Sequence, residues 1–121
     1  MADAALATVR NRTLEKLFVL IAGETAETED AEIVERVIAN VNEQLRDDEI
    51  CYWSDTATPR ALVESLAAYY ACFLANDFMD ASEALTLKND PNTGKEACER
   101  EIRALVAPRK RVATPVQNTY F

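Results

Sequence analysis

Glycine and proline are scarce in this chain, and their scarcity is the strongest limit on its fold. Only 2 glycines and 4 prolines occur among 121 residues. A β-sheet domain needs many tight turns, and such turns depend on these two residue types. Alanine, leucine, glutamate and arginine, all good helix formers, are abundant instead. The sequence therefore predicts an all-α fold of one domain, long enough to bury a core of its own.

Apolar residues recur at three- and four-residue steps in four stretches, which predicts a four-helix bundle-like body. The first helix is expected to follow a cap at Asp3 and to stop at Gly23, and the second to follow a cap at Thr28. The second helix has the clearest pattern. Its apolar stripe consists of Ile33, Val34, Val37, Ile38, Val41 and Leu45.

The third helix is expected to begin at Thr58-Pro59, with the threonine as its cap and the proline in its first position. Its spacing is compatible with an extension past Asp77 to Leu85 or Leu87. Alanines lie between its larger apolar residues, so the helix is apolar around much of its circumference. The sequence therefore predicts that this helix is central and contacts several neighbours.

The last helix is predicted from about Thr93 to Ala107, and Pro108 is expected to end it. Residues 108–121 are then predicted to form an extended docking arm on a helical adaptor body of residues 1–107. The arm contains basic and apolar residues but no Asp or Glu. The residues expected to bind a partner are Arg109, Lys110, Arg111, Pro115, Val116, Tyr120 and Phe121. A frayed terminus is the alternative interpretation of this segment.

The charge of the chain argues against a conventional DNA-binding body. The net charge is −8. It is −11 over residues 1–107, once the three basic residues of the arm are set aside. Affinity for DNA depends on neutralising phosphates with Lys and Arg, so such a body should repel nucleic acid. The arm alone is basic enough to contact an acidic partner.

The residue types present argue against an enzyme. The chain has no histidine, and histidine is the usual general base and the commonest metal ligand. Cys72 and Cys98 fall on apolar helical stripes, where a buried thiol is a poor nucleophile. Cys51 lies in the connection after the second helix and is expected to be more exposed, while Tyr52 and Trp53 beside it cover the core. We predict no catalytic residues, no cofactor and no metal.

No apolar run approaches the roughly 20 residues that a membrane span needs. The start of the chain also lacks the basic-then-apolar pattern of a secretory signal. We therefore expect synthesis in a cytoplasm and no membrane contact.

Several runs of residues carry a family resemblance. A helix leads into LFVLIAGET (17–25), and after an acidic spacer the next helix carries VNEQL (41–45), with a tryptophan following. An alanine-rich helix that begins near Pro59 then includes LAAYYA (66–71). In these features the chain resembles the head-to-tail connector proteins of short-tailed bacteriophages, the tail accessory factor or packaged-DNA stabilisation family. The resemblance covers Thr8–Trp53 and the second half of the chain.

The resemblance implies a structural protein of the virion neck, made in the host cytoplasm. Such adaptors form a homo-oligomeric ring, commonly a dodecamer, below the portal protein ring. The ring extends the DNA channel toward a tail or nozzle protein, and DNA passes through it without sequence-specific binding. In such families an extended C-terminal segment grips the portal, which matches the arm predicted from the residues. The alternative is a bacterial helical regulatory module, antitoxin- or adaptor-like, whose arm binds one protein partner.

Overall fold

The computed structural model describes residues 3–20, 26–91 and 94–113, with side chains as far as residue 107. This part of the chain holds helices and no β-strand, which confirms the predicted all-α fold. The helices are α1 (Leu6–Lys16), α2 (Thr28–Asp47), α3 (Val63–Phe78), α4 (Ala81–Asn89) and α5 (Lys95–Ala113). A 3₁₀ turn, Arg60–Leu62, leads into α3. None of the described helices combines the length and the apolar character that crossing a bilayer requires.

Helix α3 is the centre of the fold, as the sequence predicts. It packs against α1, α2, α4 and α5. Alanines alternate with large side chains on its surface, so neighbouring helices can approach closely wherever an alanine faces them. The buried residues of α3 are Ser65, Leu66, Ala67, Tyr69, Tyr70, Ala71, Cys72, Leu74 and Ala75.

The starts of α1 and α2 differ from the predicted caps. Ala5 precedes α1, so Asp3 does not cap it, and Thr28 is the first residue of α2 instead of its cap. The start of α1 is fixed by an isolated β-bridge, in which the nitrogens of Ala4 and Thr58 each donate to the other's carbonyl oxygen at 2.7 and 2.9 Å. A long-range contact thus replaces a local cap.

A break separates α3 from α4, so the apolar spacing that reaches Leu87 belongs to two helices. Met79 takes an extended conformation. The Asp80 side chain then caps α4, because its Oδ1 accepts a hydrogen bond from the Glu83 nitrogen at 2.9 Å. Asp80 followed three residues later by Glu83 is a capping-box pattern that marks the start of α4 in the sequence. Pro59 likewise precedes the 3₁₀ turn instead of occupying a first helical position.

Helix α5 continues through Pro108 to Ala113, so the prediction that Pro108 ends the last helix is wrong. Proline costs a helix one hydrogen bond and crowds the carbonyl four residues earlier, but its fixed φ remains compatible with helix. The residues around it, including Arg103, Ala107 and Arg109, are good helix formers. An extended conformation is therefore excluded for residues 108–113, and residues 114–121 lie outside the described part of the chain.

A polar network fixes the connection between α2 and α3. The Tyr70 hydroxyl donates to the Asn42 Oδ1 atom, and both residues are fully buried. The Asn42 Nδ2 atom donates to Asp55 Oδ1 at 2.9 Å, and Arg46 donates to the same oxygen at 2.8 Å. Arg46 also donates to the Trp53 carbonyl oxygen at 3.0 Å. The network therefore joins the middle of α3 to α2 and to the connection.

Trp53 covers the core, as the sequence predicts, whereas Tyr52 is exposed. The two rings meet edge to face, with their centroids 5.2 Å apart. The Trp53 indole nitrogen is buried and has no hydrogen-bond partner among the described residues. The position of Trp53 therefore depends on packing and on its backbone carbonyl.

We predict that Tyr70→Phe lowers the free energy of unfolding by about 1–2 kcal/mol, because it leaves the buried Asn42 oxygen without its donor. Urea denaturation followed by circular dichroism measures the change. Tyr69→Phe is the matched control on the same helix, because that hydroxyl takes no part in the network, and its effect should stay within about 0.5 kcal/mol. Equal losses in the two variants would contradict the role given to the network.

Candidate interaction surface

The cysteine and carboxylate side chains of the described residues form no group of three or more that could hold a metal ion. Cys51 is buried, which corrects the expectation that it is more exposed, and its thiol lies 3.4 Å from the Trp53 carbonyl oxygen. Burial raises the pKa of the Cys51 thiol and lowers its reactivity. Cys72 and Cys98 are buried, as predicted.

The residues predicted to bind a partner fall into two groups. Arg109, Lys110 and Arg111 belong to the last two turns of α5. Positive charge near the C-terminal end of a helix complements its dipole, so the basic run also favours the continuation of α5. Four further predicted residues lie outside the described part of the chain: Pro115, Val116, Tyr120 and Phe121.

The part of α5 before this basic run is held firmly on α3. Cys98, Ile102 and Val106 recur at four-residue steps and are buried. The Ser65 hydroxyl on α3 donates to the Glu101 carboxylate at 2.6 Å. The basic run therefore continues from a helix that is already fixed to the body.

Acidic side chains are concentrated on the solvent face of α2 and just beyond its end. Arg46, the basic residue of the last turn, is bound to Asp55. Negative charge at the C-terminal end of a helix is disfavoured by the helix dipole, so the acids there do not stabilise α2. The exposed acids on and next to α2 are Glu27, Glu29, Glu32, Glu43, Asp47, Asp48 and Glu49.

Ion pairs hold α1 against α3. The Arg12 guanidinium donates to both carboxylate oxygens of Glu64, at 2.7 and 2.8 Å, and to Glu15 at 3.0 Å. Lys16 lies 3.3 Å from the same Glu64 carboxylate. The hydrogen bonds from Arg12 lower the pKa of Glu64 to about 2. Because these groups are largely solvent-exposed, the pair contributes at most about 1 kcal/mol, and it mainly fixes the C-terminal end of α1.

The turn that ends α1 holds a phenylalanine outward. The Val19 nitrogen donates to the Leu14 oxygen at 3.0 Å, and the Phe18 nitrogen donates to the Glu15 oxygen at 3.1 Å. This is the Schellman pattern, whose left-handed position is usually glycine. Phe18 occupies that position with a φ of 62°, and its side chain is 86% exposed. The sequence gives no signal for this turn, because the glycine that normally occupies its left-handed position is absent.

Phe18 borders a groove of roughly 310 Å³, which we call the Phe18 groove. Met79 and Leu87 also line the groove and are only partly buried. Exposed apolar side chains that lie together are typical of a surface that another molecule covers. The polar residues that line the groove are Ser82, Glu83, Thr86 and Asp90.

Comparison of the chain with protein-family models, with curated proteins and with solved structures gives no match.

We predict that Phe18→Gly raises the free energy of unfolding of the isolated protein by about 1 kcal/mol. Glycine adopts the left-handed conformation without strain, and the exposed ring contributes little to the core. Glu49→Gly is the matched control, because Glu49 also has a φ of 62° and should gain a similar amount. Thermal unfolding measures both changes. A marked loss of stability in Phe18→Gly alone would mean that the ring supports the fold.

Proposed function

We propose that this protein is a structural adaptor of the bacteriophage neck, which forms a ring below the portal and joins the capsid to the tail. The observation that best supports the proposal is Phe18. Its backbone conformation costs about 1–2 kcal/mol for a residue with a side chain, and its ring gains nothing from the core of the isolated chain. Strained residues of this kind concentrate at functional sites. A neighbouring subunit that covers Phe18 would account for both features.

The acidic surface fits the same proposal. A ring whose inner wall carries the α2 acids, such as Glu43 and Asp47, would repel DNA and let it slide during packaging and ejection. The same charge argues against a body that binds nucleic acid. The described residues offer no catalytic group that would favour an enzyme instead.

The C-terminal segment is the proposed contact with the portal. The basic run Arg109–Arg111 lies on the last turns of α5, and the acid-free residues 114–121 follow it. The basic side chains would form charge-assisted hydrogen bonds with acids of the portal, and the apolar residues would provide anchors. Many subunits joined in one ring would bind together far more tightly than a single segment, because each later contact is intramolecular.

We predict that the full-length protein forms rings on its cognate portal rings, as seen by electron microscopy of the mixed proteins. Phe18→Gly should lose the contacts between subunits, whereas Glu49→Gly, with the same backbone change, should still form rings. Deletion of residues 114–121 should leave a folded body that no longer joins the portal.

Two outcomes would contradict the proposal. One is a protein that remains a monomer or dimer in the presence of portal rings, which would favour the helical regulatory module with one protein partner. The other is normal ring formation by both Phe18→Gly and the deletion variant.

A further inference from the structure

We propose that Cys72 and Cys98 form a modification site: a dithiol that a small disulfide, such as oxidised glutathione, converts into an intramolecular disulfide between α3 and α5. This inference goes beyond the adaptor function and does not depend on it. It depends on the register of the two helices, on the burial of both sulfurs and on the chemistry of neighbouring thiols.

Two contacts fix the register of α3 and α5. Near the start of α3, the Ser65 hydroxyl donates to the Glu101 carboxylate at 2.6 Å. Two turns further along α3, the Lys95 ammonium lies 4.6 Å from the centroid of the Phe73 ring. Because later residues of α3 meet earlier residues of α5, the two helices are antiparallel.

Both cysteines lie within the segments that these contacts delimit. Cys72 precedes Phe73 and lies two turns after Ser65, on the same face of α3. Cys98 lies midway between Lys95 and Glu101 on α5, so this register places it level with the middle of the α3 segment, within one turn of Cys72. The two thiols are joined by a side-chain hydrogen bond. They therefore face each other across the helix interface.

The surroundings give the two thiols different roles. Cys72 is 1% exposed and Cys98 is 5% exposed. The hydrogen bond from one thiol to the other raises the pKa of Cys72, and burial adds to this shift. The same hydrogen bond lowers the pKa of Cys98. Cys98 is the less buried of the two sulfurs, so a reagent reaches it first when the interface opens.

The exchange with a small disulfide takes two balanced steps. The Cys98 thiolate attacks one sulfur of the small disulfide, forms a mixed disulfide and releases one small thiolate. Cys72 then loses its proton, and its thiolate attacks the Cys98 sulfur and releases the second small thiolate. Two protein thiols are oxidised, and one small disulfide is reduced to two thiols. Reagent access requires local opening between α3 and α5, so the reaction should be slow.

The disulfide would fix α5 covalently to the central helix. In a reducing cytoplasm the thiols would remain reduced, whereas outside the cell the bond would form and persist. It would limit local opening of the interface between α3 and α5, which otherwise depends on noncovalent packing. The stability of the helix that carries Arg109–Arg111 would then differ between the two redox environments.

The test uses the full-length protein, incubated with oxidised glutathione and then freed of the reagent. We expect a mass loss of two hydrogens and a non-reducing peptide map in which the Cys72 peptide is joined to the Cys98 peptide. The midpoint of thermal unfolding should rise by about 5 °C or more, and dithiothreitol should reverse the rise.

Single substitutions identify the sulfurs. Cys51→Ser should keep the mass loss and the thermal shift. Cys72→Ser and Cys98→Ser should both abolish them, with Cys72→Ala and Cys98→Ala as substitutes if a serine prevents folding. Wild-type protein that keeps its full mass, or a crosslink that includes Cys51 or a second chain, would overturn the proposal.

Discussion

The burial of α3 around most of its circumference is the constraint on which the rest of the structure depends. Its alanines let α1, α2, α4 and α5 approach closely, and its large side chains, such as Leu66, Tyr70 and Leu74, fill the space between them. Only a helix that is apolar around most of its circumference can serve four neighbours at once. The position of each surface feature, including Phe18 at the end of α1 and the basic end of α5, follows from how its helix packs on α3.

Sequence periodicity is sufficient to find α2 and α3, because their apolar stripes repeat over several turns. It fails where long-range contacts or unusual turn residues decide the outcome. The bridge between Ala4 and Thr58 sets the start of α1, and Phe18 occupies a turn position where glycine is the usual signal. Pro108 is misleading for a different reason. A proline normally ends a helix, but the helix-forming residues around Pro108 allow α5 to continue.

The candidate interaction surface could be predicted only in part. The basic run of residues 109–111 is visible in the sequence, but its location on a helix is not. The Phe18 groove combines the end of α1 with α4, and the pairing of Cys72 with Cys98 requires the register of α3 and α5. Such juxtapositions depend on tertiary packing, so residue spacing within one helix cannot reveal them. The acidic surface is different, because composition and the helical pattern of α2 already indicate it.

Residue-resolved hydrogen exchange tests the central claim most directly. If α3 organises the fold, its amides should exchange most slowly, at a rate set by global unfolding. Helix α4 buries only Ala84, so its amides should exchange much faster, through local opening. Amides of α3 that exchange as fast as those of α4 would show that the fold does not depend on a single buried helix.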